Sequence, residues 1–171
     1  GTAVLAAQFA DLLWPILLLL GIERVRITPG ITAFNPLEFT HYPVTHSLVG
    51  LTVLGIVLGL VYFAVTRNRI GVWVVGILVV SHWFLDAIVH RPDLPLAPGS
   101  DIRVGFGLWN SVVGTLAVEL VLFAIGIYLY WRGTTATDRV GRFGFWSMNG
   151  VLLVVFLGAS FGPPPNVMAL A

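Results

Sequence analysis

Hydrophobic positions in this chain gather into five nearly unbroken runs, at residues 3–22, 48–65, 70–89, 112–131 and 143–161. Each is about 18–20 residues long, enough for a helix to cross a hydrocarbon core. The pattern predicts an all-α integral membrane protein, a bundle of about five transmembrane helices in a single domain over residues 1–171. The polar segments between the runs are of two kinds. Two are short and rich in Arg, Thr66-Arg67-Asn68-Arg69 and residues 132–142, and two are long, residues 23–45 and 90–110. In the long ones Pro29-Gly30, Asn35-Pro36, Arg91-Pro92, Pro95 and Pro98-Gly99 predict irregular, turn-rich connections, and Pro163-Pro164-Pro165 marks the end of the last helix. Gly55 and Gly59 form a GxxxG, a face on which a second helix can pack closely.

Composition supports the membrane assignment and removes several classes of function. Of 171 residues, 57% are hydrophobic and 10% charged, against about 45–50% and about 25% in soluble domains. Disorder and collagen are excluded. The net charge of +1 leaves no basic patch for a phosphate backbone, so nucleic acid is not a partner. Without Cys, a metal would have to sit on His, Asp and Glu. The short loops carry Arg67, Arg69, Arg132, Arg139 and Arg142 against Asp138 alone, whereas the Arg of the long loops are balanced by acids. The positive-inside rule therefore places the short loops in the cytoplasm and the long ones in the periplasm or exterior, as in a bacterial inner (plasma) membrane protein. The chain opens on Gly1 rather than Met, with no charged leader, which predicts a trimmed or truncated N-terminus.

An ionisable side chain at the centre of a span costs about 2.5–3.5 kcal/mol and asks for a partner or a function. Asp11, His82, Asp86 and Glu119 fall inside the runs, His46 at the mouth of the second and His90 at the end of the third. At 1.5 Å per residue Asp11 lies about 16 Å below Ile22, His82 about 12 Å below His90 and Glu119 about 13 Å below Asn110. The three depths agree. His82, Asp86 and His90 stay within an arc of about 80° on their helix, Ser111, Thr115 and Glu119 repeat that spacing, and Gln8 and Asp11 share a face. Three polar stripes in the outer half predict a common polar cavity there.

His82 and Asp86, at i and i+4, can offer two ligands to one divalent ion, and His41 and His46 add two imidazoles from the loop before the second span. Such N/O donors suit Zn²⁺, Mn²⁺ or another first-row ion, and spacing alone does not choose between them. Glu119 is the candidate general base. His90 and Asp93 either orient the ligands or belong to a solvated loop.

The stretch His41-Tyr42-Pro43-Val44-Thr45-His46-Ser47, followed by Ser81-His82-x3-Asp86 in a membrane span, resembles the YdjM-like family of membrane-bound metal-dependent hydrolases. That family is distantly similar to zinc-dependent phospholipase C and P1 nuclease. The resemblance covers roughly residues 8–93 and implies metal ligands at Asp11, His41, His46, His82 and Asp86. Where the family reads HRG this chain has His41-Tyr42-Pro43, and the resemblance implies a further His in an upstream segment that the sequence from Gly1 does not include. The function expected from residues and resemblance together is a membrane-embedded metal-dependent hydrolase that attacks a lipid-like (phospho)ester through a metal-activated water. The alternatives are a transporter or proton/metal relay, disfavoured by the wholly apolar stretch of residues 70–80, and a noncatalytic assembly subunit.

Overall fold

In a computed structural model, residues 1–162 are described, and the Pro163-Pro164-Pro165 run lies outside them. The chain is mostly helical. Four helices are long and apolar enough to cross a membrane: α3 (Leu48–Thr66), α4 (Arg69–Val89), α5 (Val112–Gly133) and α6 (Arg139–Phe161), numbered after two shorter ones. All four begin alike. Ser47, Asn68, Ser111 and Asp138 each accept, through the side chain, the backbone N–H of a glycine three residues on. A short acceptor at the N-cap satisfies a donor that the first turn leaves free.

The first apolar run departs from the expected continuous span. It forms α1 (Thr2–Ala7) and α2 (Phe9–Leu19), interrupted at Gln8, whose φ of −97° and ψ of 6° leave the helical region. The Ala7 carbonyl beside this break accepts a hydrogen bond from the ring of His82 on α4. Hence, among the described residues, four helices rather than five are long and apolar enough to span. α2 stops in a Schellman motif, with Gly21 N–H on the Leu18 carbonyl, Ile22 N–H on the Leu17 carbonyl, and Gly21 at φ +70°. That turn sends the chain back toward the protein at Glu23.

The long connections are also more ordered than turn signals suggested, so the protein is not purely α. β1 (Arg24–Ile27) and β2 (Leu37–His41) form an antiparallel hairpin, and β3 (Leu94–Pro95) pairs with β4 (Arg103–Val104). The hairpins and a 3₁₀ turn at Leu108–Asn110 are tied together and to the helices: Phe34 N–H reaches the Trp109 carbonyl, Gly107 N–H the His90 carbonyl, and Val49 N–H the Leu96 carbonyl. The connections thus form a cap over one end of α3 and α4.

Under the cap, α3 and α4 make the most extensive helix pair, and α1 and α2 lie against α4. The core consists of Ala6 and Ala10, Leu51, Val75, Val79, Trp83 and Ala87, continued into the cap by Phe39, Tyr42 and Leu94. The α3 face that meets α4 is the GxxxG face, with both glycines buried. By contrast Val53, Ile56 and Leu60 of α3, Trp73 and Ile77 of α4, and Val154 of α6 are exposed, as side chains facing lipid are. Contact between α5 and α6 includes a stacked pair, Tyr130 on Phe145.

A Cβ added at Gly55 would stand 2.9 Å from the Gly76 carbonyl oxygen, a backbone atom that cannot step aside, whereas one at Gly126 meets nothing within 4 Å. Gly55→Leu is expected to cost about 1–3 kcal/mol through overpacking, and Gly126→Ala to be neutral or slightly stabilising. Thermal unfolding in detergent, followed by circular dichroism, checks both. Equal melting temperatures for Gly55→Leu and wild type would refute the close crossing.

Candidate metal centre

Helix periodicity puts His82 and Asp86 one turn apart on the same face of α4, with His82 Nε2 3.3 Å from Asp86 Oδ2. Asp11 reaches the same point from α2, its Oδ1 3.5 Å from His82 Nε2. His46 comes from the turn before α3, its Nε2 3.8 Å from Asp11 Oδ1 and 3.7 Å from Asp86 Oδ2. Carboxylate and imidazole therefore alternate around a ring. One donor atom each from Asp11, His46 and His82 lies within 4.8 Å of the other two. His46 and His82 are buried, and the Asp86 side chain is nearly so at 16%; Asp11 is the open member at 50%.

The orientation of these groups is informative. His82 Nδ1 sits 3.3 Å from the Ala7 carbonyl oxygen. A carbonyl can only accept, so Nδ1 carries a proton, and the neutral ring would turn a bare Nε2 lone pair toward Asp11 and Asp86. Neither His82 Nε2 nor Asp86 Oδ2 makes a hydrogen bond, although both atoms are buried. Two buried acceptors facing each other repel, and a cation between them removes the conflict. Neighbouring ligands on an ion with bonds of about 2.0–2.2 Å stand about 3–3.6 Å apart, close to the ring's 3.3–3.8 Å. The set fits a divalent ion held by nitrogen and oxygen.

Behind His46, its Nδ1 lies 2.7 Å from Thr45 Oγ1, which is itself 2.6 Å from Glu23 Oε2. Glu23 Oε1 accepts the backbone N–H groups of Val44 and Thr45 at 2.9 and 2.8 Å. The imidazole is packed among Trp14, Phe39 and Tyr42. Burial holds it below the ordinary imidazole range, outweighing the opposing pull of Asp86 and Asp11.

One turn further along α4, His90 is buried between Phe39 and Trp109, with Nδ1 3.0 Å from Asp93 Oδ1. Arg91 Nε donates to the other Asp93 oxygen at 2.9 Å, and the Asp93 carbonyl accepts from Tyr42 and Arg103. This is an ordered junction between helix end and cap, not a solvated loop.

The structure thus brings together Asp11, His46, His82 and Asp86. It does not bring in His41 or Glu119. A bulge in the hairpin pairs Arg24 with His41 but Val25 with Phe39, which leaves Thr40 as an extra residue. Phe39 faces inward, and after it both Thr40 and His41 are exposed; without the bulge His41 would follow Phe39 to the inner face. Glu119 is half-buried on α5, and no hydrogen bond or ion pair joins it to the ring among the described residues. Thr115 of the same stripe turns back on its own segment, its hydroxyl donating to the Leu108 and Ser111 carbonyls. Glu23, Thr45 and the Ala7 carbonyl are the supporting groups that the sequence did not single out. Glu23 reads there as one more acid in a polar loop, and Thr45 stands out only as the neighbour of His46.

Burial works to raise the Asp93 carboxyl, but hydrogen bonds and charge from His90 and Arg91 outweigh it and hold the group below the ordinary range. A depressed carboxyl contributes stability above its unfolded pKa, near 3.9, that is lost as pH falls through the folded value. Asp93→Asn is therefore expected to lose about 1–3 kcal/mol at pH 7 and progressively less below about pH 4. Urea unfolding in detergent at pH 7 and pH 3 measures the two gaps. Equal gaps would refute the ion-paired junction.

No curated protein and no solved structure matches the chain. The family model described as YdjM inner membrane protein matches residues 2–162, from the first turn of α1 to the end of α6, with Asp11, His46, His82 and Asp86 all within the match. The chain belongs to the YdjM inner membrane protein family.

Proposed function

We propose that the protein is a membrane-embedded metal-dependent hydrolase that acts on a lipid-like ester or phosphoester. The observation that carries this reading is the pair of buried, unpartnered atoms, His82 Nε2 and Asp86 Oδ2, facing one another inside the ring of Asp11 and His46. Asp11, His46, His82 and Asp86 would hold the ion, with Zn²⁺ or Mn²⁺ suited to the donors. When bound, such an ion supplies Lewis acidity and makes water nucleophilic near neutral pH.

The protein's own groups divide the remaining work. His82 and His46 are held from behind by the Ala7 carbonyl and by Thr45, so their inner nitrogens are already aimed before anything binds. Trp14, Phe39 and Tyr42 keep water from the His46 side. The open side is that of Asp11. Its exposed neighbours on α2, Leu12, Pro15 and Ile16, are apolar, so approach from that side is through lipid. A headgroup entering laterally suits this opening better than a soluble polymer. With the Arg-rich short loops in the cytoplasm, the site faces the periplasm or exterior.

Elemental mass spectrometry on detergent-purified protein, dialysed without chelator, tests the centre. The expected result is about one or more equivalents of a first-row metal in wild type and loss of it in the His82→Ala, Asp86→Ala double variant. Folded wild-type protein that takes up no metal, even after Zn²⁺ or Mn²⁺ is added, sinks the reading. Turnover is tested by incubating the metal-loaded protein with lipid phosphoesters and carboxylic esters in mixed micelles. Products are expected from wild type and not from the double variant.

A further inference from the structure

We infer that Glu23 is a positioning residue for the metal centre: acting through the Thr45 hydroxyl, it fixes which nitrogen of His46 carries the proton and so leaves Nε2 free to bind an ion. The inference takes its purpose from the metal reading above, but its hydrogen bonds stand independently of whether an ion binds.

Glu23 is 1% exposed, and among the described residues no Arg or His lies within ion-pair distance of it. It survives there by accepting from three donors: the backbone N–H groups of Val44 and Thr45 on Oε1, and the Thr45 hydroxyl on Oε2 at 2.6 Å. A carboxylate only accepts, so the single Thr45 hydroxyl proton is committed to Glu23. Thr45 Oγ1 then has only lone pairs to offer His46 Nδ1 at 2.7 Å, and that nitrogen must bring the proton. Nε2 is left bare, pointing toward Asp11 and Asp86.

The His82 ring has the same polarity imposed by the Ala7 carbonyl. Two unrelated acceptors thus draw the Nδ1 proton of both imidazoles away from the ring of donors. A buried carboxylate without a basic partner is also electrostatically incomplete, and a divalent ion on His46 would place the missing positive charge one imidazole and one hydroxyl away.

Replacement of Glu23 by Gln keeps an oxygen for the two backbone donors but turns an NH₂ toward Thr45. The hydroxyl then accepts from Gln and donates to His46 Nδ1, which moves the ring proton to Nε2. The relay runs backwards.

The test uses full-length protein labelled with ¹⁵N-histidine, metal-free in detergent micelles, with long-range ¹H–¹⁵N correlation to read each imidazole tautomer and a His46→Gln sample to assign the signal. His46 is expected as the Nδ1–H tautomer in wild type and in Thr45→Ser, which keeps the hydroxyl, and as Nε2–H in Glu23→Gln. Zn²⁺ titration is expected to give wild-type affinity for Thr45→Ser and about 10–100-fold weaker binding for Glu23→Gln and Thr45→Val. An Nε2–H tautomer in wild type, or an unchanged tautomer in Glu23→Gln, overturns the inference. If Glu23→Gln does not fold, Thr45→Val against Thr45→Ser decides: equal Zn²⁺ affinities overturn it, and loss in Val with retention in Ser supports it. Wild-type protein with the expected tautomer but no Zn²⁺ uptake would refute the metal reading and leave the relay standing.

Discussion

Donor atoms of Asp11, His46, His82 and Asp86 converge on one small volume, in which the buried His82 Nε2 and Asp86 Oδ2 make no hydrogen bond. In water such a cluster would simply be hydrated. With three of the four largely buried, the cluster lacks that hydration, and a cation is one way to offset the repulsion. Much of the local structure is arranged around this constraint. The first helix breaks at Gln8 beside the carbonyl that holds His82. The Schellman turn at Gly21 delivers Glu23 to the back of the His46 loop, and the cap closes over one end of α3 and α4. A protonated His82 would be the rival occupant. A divalent ion differs from it in being able to neutralise both carboxylates at once.

Periodicity and expense made the inner part of this arrangement legible in the sequence. An acid and a histidine four residues apart within an apolar run share a face by helix geometry alone, and Asp11 stands out as costly in lipid. Matched depths then join elements far apart in the chain, because each helix rises by the same amount per residue. Where an element is regular, one-dimensional arithmetic carries into three dimensions.

Irregular elements resisted the same reasoning. The interruption at Gln8 carries no proline or glycine at the break, and what accompanies it is a tertiary hydrogen bond to a residue 75 positions away. The fate of His41 turned on one extra residue in a hairpin whose strands have four and five residues, which reverses the direction of the side chain beyond it. Glu119 met the criteria of depth and spacing, yet its helix packs chiefly on its own 3₁₀ turn rather than on the ring. Glu23 was illegible for the opposite reason. Nothing in its neighbourhood predicts burial, and its importance comes from two backbone donors and a hydroxyl supplied by residues 44 and 45.

The four donors are not equivalent, and the difference bears on chemistry. His46, His82 and Asp86 are set in or against α4 and the cap, with little exposed surface. Asp11 is half exposed on α2, a short helix set off from α1 by the break at Gln8, and Pro15 removes the N–H that would bind the Asp11 carbonyl from the next turn. Closed sets of four protein ligands serve structure, whereas catalytic ions keep one position for water or substrate. Three fixed donors with a fourth on a less constrained element on the lipid side match the second pattern better. In that reading Asp11 is the ligand on the side from which a headgroup would arrive.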